Sequence, residues 1–206
     1  MLKFKIKVDE SADNPLNNDR LSKIVTWHSR YNLGDEQPTE RPVEWLENIL
    51  SNNGIDVPGD ALMDDMLELF EEHVGIISIV YMYEHSGISL SLSPFSCNWD
   101  SGSVGFAYIE YSYAKSNGTH DIGDMKRVLK DELTEYSYYI EGEVYYYHIW
   151  SEEVCSCCGG SITKTICSGY GYIGDHKTSG IYEDMYDDLT CNGYDGSYED
   201  MIEELG

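Results

Sequence analysis

The sequence predicts an α+β fold: a largely antiparallel sheet, two or three amphipathic helices and an acidic C-terminal segment. Strand-like stretches come in neighbouring pairs closed by short turns, and helix-like stretches lie between the pairs. The chain has 206 residues, 41% of them hydrophobic, which is apolar material enough for a packed core. No internal repeat at a solenoid period competes with that reading.

Leu2 to Val8 alternates apolar residues with Lys3, Lys5 and Lys7, the period of a strand with one wet, basic face. Asp9 to Asn18 is polar and loop-like, and Leu21 to Tyr31 fits helix and strand equally. Pro42 to Asn52 reads as a helix, with proline in its first turn, Trp45, Ile49 and Leu50 on one face, and Asn53-Gly54 as its stop. Asp60 to Glu72 reads as a second helix with an apolar stripe of Leu62, Met66, Leu69 and Phe70. Ile76 to Tyr83 and Ile88 to Leu92 are strands around a turn at His85-Ser86-Gly87, and Val104 to Tyr113 is another strand. Met125 to Tyr139 sets Met125, Leu129, Leu133 and Tyr136 in helical register. Glu143 to Trp150 and Ile162 to Cys167 form a hairpin closed by a cysteine-rich turn. Ile181 to Leu189 and Tyr198 to Leu205 are short acidic helices or turns. The expected division is one domain over residues 1–178 and an acidic, tyrosine-rich segment over residues 179–206.

Charge narrows the function. Acids outnumber bases 38 to 13, for a formal net charge of -25. Such a field repels DNA, RNA and anionic membrane and speeds encounter with basic proteins. It is also uneven: from Pro42 to Ala114 there is no Lys or Arg, and none follows Lys177. A chain selected only for solubility would more often intersperse both signs. No stretch is long and apolar enough to span a bilayer, and Met1 to Glu10 lacks the apolar run of a signal peptide. A cytoplasmic chain with six reduced cysteines is therefore expected.

Three constellations carry possible chemistry. The first is acidic: Asp60, Asp64, Asp65, Glu68, Glu71 and Glu72 at helical spacing, joined by Glu183, Asp184, Asp187 and Asp188 in the C-terminal segment. Like charges three and four residues apart cost helix stability, so a functional benefit should offset them. DNA presents a dense line of phosphates that such a row imitates. The second is Cys155-Ser156-Cys157-Cys158-Gly159-Gly160, whose C-x-x-C-G turn is half of many zinc sites. Candidate ligands are Cys155, Cys158 and Cys167. No second C-x-x-C completes a tetrahedron, so no cofactor is expected. The third is polar: His28, Arg30, Asp35, His85, Cys97 and Asp100, which contain a possible nucleophile and base. His28, His85 and Asp35 offer a further donor set for a metal.

The third set lies within Trp27-His28-Ser29-Arg30-Tyr31-Asn32-Leu33-Gly34-Asp35, Tyr83-Glu84-His85-Ser86-Gly87 and Ser93-Pro94-Phe95-Ser96-Cys97-Asn98-Trp99-Asp100-Ser101-Gly102. Here the chain resembles a family of uncharacterised proteins common in bacterial phages and plasmids, over roughly residues 24–40 and 76–110. The resemblance implies a mobile-element origin and work against host defence; it brings no activity with it. The leading expectation is an inhibitor, not an enzyme, that blocks a basic nucleic-acid-binding host protein by acting as an acidic DNA mimic. The alternatives are a small enzyme or ligand-binding protein using the His28/Arg30/His85/Asp100 cluster, and a zinc-stabilised interaction module.

Overall fold

A computed structural model describes residues 2–205. In chain order its strands are β1 (Leu2–Val8), β2 (Lys23–Thr26), β3 (Gly75–Glu84), β4 (Ile88–Ser91), β5 (Ser101–Glu110), β6 (Val144–Val154) and β7 (Ser161–Ile173). Its helices are α1 (Pro42–Asn52), α2 (Met63–His73), α3 (Tyr111–Ser116), α4 (Ile122–Glu141), α5 (Ile181–Cys191) and α6 (Tyr198–Leu205). The fold is α+β, and both of its sheets are antiparallel. The chain divides into two compact units: Asn14–Ser137, and the residues up to Asp13 together with those from Tyr138 onward.

The central unit carries a four-stranded sheet in the order β2-β5-β3-β4. On one face Val25, Ile77, Phe106 and Tyr108 pack with Trp45, Leu46 and Leu50 of α1 and Met66 and Phe70 of α2. Trp27, Trp45 and Phe106 form an aromatic knot with ring centroids 5.7–5.8 Å apart. The alternate residues Ile24, Ile76, Ala107 and Ile109 are buried as well, so neither face of the sheet is wet. Helix α4 is fastened to this unit by polar clasps. The Glu132 carboxylate accepts from the Leu21 and Ser22 amides, and the Tyr136 hydroxyl accepts from the Gly34 amide.

In the central unit three departures from the sequence reading have a clear local cause. The ambiguous stretch is strand β2: Ile24, Val25 and Thr26 are fully buried, and a β-branched run suits a pleated surface better than a helix. Helix α2 starts at Met63, because the Asp65 carboxylate accepts the Leu62 amide at 2.8 Å and caps the chain there, leaving Asp60 in the preceding loop. Strand β5 stops at Glu110, opposite Gly75 where its neighbour β3 begins. With no ladder left to join, Tyr111–Ser116 coils into α3.

The second unit is built on β1-β6-β7. One face of this sheet carries Phe4, Ile6, Tyr147 and Ile149 and is covered by Ile181, Met185 and Leu189 of α5 and Met201 of α6. The sequence reading separates residues 179–206 from a domain over residues 1–178, but these residues supply half of a core. Ile181, Met185 and Leu189 recur every fourth residue, an apolar stripe masked by the acids between them. The opposite face sets Lys3, Lys5 and Lys7 across from Trp150, His148 and Tyr146, as the period of two requires. The hairpin runs further than predicted, because its outer pairs are exposed and held by the backbone ladder rather than by apolar alternation.

Gly105 lets β2 approach β5: a Cβ there would meet the Val25 carbonyl oxygen at 1.9 Å. Gly105→Ala is expected to lose at least about 2 kcal/mol in urea unfolding, as overpacked sites do. It should also strip exchange protection from the Trp27 amide, which donates to Val104. Wild-type stability in this variant would rule out so close an approach.

Candidate functional site

The acidic face of α2 follows from its burial pattern. Met66 and Phe70 point into the core, so Asp64, Asp65, Glu68, Glu71 and Glu72 are turned outward and are all exposed. Asp60, although outside the helix, lines one open groove with Asp65, Glu68 and Glu72. Asp64 and Asp65 lie in the first turn, where the helix dipole favours them, but Glu71 and Glu72 lie in the last turn, where it does not. Among the described residues no Lys or Arg pairs with any of these six; the imidazole of His73 lies 3.7 Å from Glu72. The result is a line of carboxylates without counter-ions.

The four acids of the C-terminal segment lie in the other unit and do different work. The Asp188 carboxylate accepts from the Tyr147 hydroxyl at 2.5 Å, and Asp184 accepts from Tyr172 at 2.8 Å. Burial, with Asp188 as a second cause, holds the Tyr147 phenol far above its usual range; burial and Asp184 push Tyr172 up to about 12. Glu183 meets the Tyr198 hydroxyl at 3.3 Å, and Asp187 is exposed. Asp184 and Asp188 are thus partly committed to the inside of their own unit.

Five of the six polar candidates gather at one end of the β3–β5 pair, around a residue the sequence reading did not single out. Glu84 forms an ion pair with Arg30 and accepts from the Tyr31 hydroxyl at 2.7 Å. That bond is the main cause holding the Tyr31 phenol above its ordinary value. His28 stacks on Tyr31 at 5.0 Å, and its Nδ1 accepts from the Tyr31 amide at 3.2 Å. The Glu84 amide donates to the Asp100 carbonyl, which brings the loop after β4 alongside. There the Asp100 carboxylate lies 3.8 Å from His85 Nδ1 and 3.6 Å from Cys97 Sγ.

That order does not activate a thiol in the usual way. A nucleophile needs the base beside it and the orienting acid behind the base. Here the carboxylate stands between thiol and imidazole. Trp99, in the same loop, is 97% exposed, a large aromatic ring left in solvent. A tryptophan amid Ser, Asn and Asp, away from any apolar period, was the sequence signal for it.

Asp35 does not join this group. It accepts the Ile24 amide at 2.7 Å and pairs at 2.5 Å with Arg20, whose side chain is only 8% exposed, so it locks the loop back onto β2. Nor do His28, His85 and Asp35 form a metal site. Among the described residues the only group of three such donors within 4.8 Å is Cys155, Cys157 and Cys158. Cys167 lies apart from it, opposite Ile149 in the core of its unit, where burial, helped by Asp188, pushes its thiol up to about 11. Cys157 therefore replaces Cys167 in the expected ligand set. Hydrogen bonds from the Cys157 thiol and from the turn backbone lower Cys155 to about 7.

One apolar cavity of about 320 Å³ opens in the central unit between Trp27, Pro42, Met63, Ile79 and Phe106. No acid, base or thiol lines it, so it offers burial without chemistry. Among the described residues no helix is long and apolar enough to cross a membrane. Compared with protein-family models, with curated proteins and with solved structures, the chain matches none.

Because Tyr147 is only 3% exposed, Asp188→Ala would take the carboxylate acceptor from its buried hydroxyl and leave only the weaker, neutral Tyr172 hydroxyl as a partner. It should lower stability in urea by about 1–3 kcal/mol. Asp187→Ala, on the wet side of the same helix, should stay within about 0.5 kcal/mol of wild type.

Proposed function

We propose that this chain is an acidic mimic of nucleic acid that occupies the basic binding surface of a host defence complex. The observation that carries the reading is the α2 face: Asp60, Asp64, Asp65, Glu68, Glu71 and Glu72 outward, with no Lys or Arg pairing with them among the described residues. Carboxylates held together without counter-ions repel one another and weaken their own helix. A partner rich in Lys and Arg removes that repulsion on binding, and DNA is what such a partner is shaped to hold. The resemblance to phage and plasmid proteins points to the same setting. Of the C-terminal acids, Glu183 and Asp187 remain the freer contributors.

A second reading rests on the cluster at Glu84. Arg30, Tyr31, His28, His85 and Asp100 converge there with the exposed Trp99, an arrangement suited to a small polar ligand or an enzyme site. His28→Ala and His85→Ala would then remove function and leave partner capture intact.

The test is capture of partners from bacterial lysate on the full chain, washed at rising salt. The screening length falls from about 10 Å at 0.1 M to 3 Å at 1 M ionic strength, so a basic nucleic-acid-handling complex should be held at low salt and released at high salt or by competitor DNA. The triple change E68K/E71K/E72K, which leaves the Asp65 cap of α2 in place, should abolish capture with an unchanged circular dichroism spectrum. A partner indifferent to salt and DNA would overturn the mimic and favour the Glu84 cluster.

A further inference from the structure

The turn that closes β6 onto β7 is short and well framed. The Cys155 amide donates to the Gly160 carbonyl at 2.7 Å, and the Gly159 amide donates back to the Cys155 carbonyl at 2.9 Å. Gly159 sits at φ 71°, the left-handed conformation that favours glycine. This frame folds Cys155, Cys157 and Cys158 onto one another, with all three sulfurs within 4.8 Å. Cys157 and Cys158 are exposed and Cys155 is half-buried, so an ion can reach the group from solvent.

The donor set decides which ion fits. Thiolates are soft ligands and select Cu(I), zinc or iron–sulfur clusters. A closed structural zinc site needs four protein ligands in a tetrahedron, and iron–sulfur clusters are commonly held by four cysteines. Among the described residues no fourth His, Cys, Asp or Glu joins the three. Neither His148 nor His176 belongs to the group: His148 bonds Ser168 at 2.9 Å, and His176 lies against Tyr145 and Tyr182. Three sulfurs complete a trigonal shell. With metal–sulfur bonds of about 2.3 Å, such a shell sets its sulfurs about 4.0 Å apart. The Cys155 and Cys157 sulfurs, now 2.8 Å apart, would have to part by roughly an ångström, within reach of side-chain rotation at an exposed turn.

We propose that this hairpin tip binds one soft monovalent metal ion, Cu(I), through the three thiolates of Cys155, Cys157 and Cys158. Binding releases the thiol protons to solvent. The copper stays monovalent throughout, so no electron moves and no oxidant is needed. The site is independent of the acidic face and of the Glu84 cluster.

The experiment is an anaerobic titration of the reduced full chain with Cu(I) supplied as its acetonitrile complex, against a Cu(I) chelator. One ion should bind per chain, with a thiolate-to-copper charge-transfer band in the near ultraviolet and three sulfur neighbours by X-ray absorption. Each of C155S, C157S and C158S should weaken binding at least tenfold and lose the three-sulfur signature. C97S, C167S and C191S should leave both unchanged, and all six variants should keep the wild-type circular dichroism spectrum. Full affinity in the triple serine variant would overturn the assignment. So would a nitrogen or oxygen neighbour at the metal, copper-driven pairing of two chains around a shared cluster, or no binding by the reduced chain.

Discussion

Strand β5 is the constraint on which the central unit turns. It lies between β2 and β3, and its side chains feed both faces of the sheet: Phe106 and Tyr108 toward α1 and α2, Ala107 and Ile109 toward the other side. Its ladder to β2 depends on a residue without a side chain at Gly105. Its C-terminal end fixes where α3 begins, and its N-terminal end holds Asp100 and Ser101 beside Glu84 and Tyr83. The packing that stabilises the unit and the placement of its polar cluster therefore come from the same strand.

The excess of negative charge is accommodated by division of labour. Apolar stripes on α2 and α5 fix which way each helix faces, and the acids between the stripe positions are carried outward as a consequence. A minority of acids are drawn inward and do structural work. Asp35 locks a loop to β2, Glu132 clasps two amides, and Asp188 satisfies a buried tyrosine hydroxyl. The unusual share of tyrosine fits this scheme. A tyrosine packs its ring in the core and offers its hydroxyl to a carboxylate at the boundary, as Tyr147 and Tyr172 do.

Most elements were legible because their periods are strong: Lys3, Lys5 and Lys7 along β1, or Met125, Leu129 and Leu133 along α4. What stayed hidden was hidden for physical reasons. The stripe Ile181, Met185 and Leu189 has only three members among many acids, so composition read as an appendage where packing makes a core. Glu84 looked like one acid among many, since its value lies in Arg30 and Tyr31, more than fifty residues away. Asp35 reads from the sequence as a metal donor beside His28 and His85, and only its pairing with the buried Arg20 shows it to be a brace. Pairwise geometry across long loops is not written in local period.

The second sheet has a consequence for synthesis on the ribosome. Among the described residues strand β1 pairs only with β6, and Val8 meets Tyr145, so β1 emerges long before its neighbour exists. At about 5–20 residues per second that wait is on the order of ten seconds. Through that time an unpaired strand is offered to every other nascent chain nearby. Lys3, Lys5 and Lys7, standing at alternate positions along it, are the kind of charge that keeps an open strand edge from adhering to another.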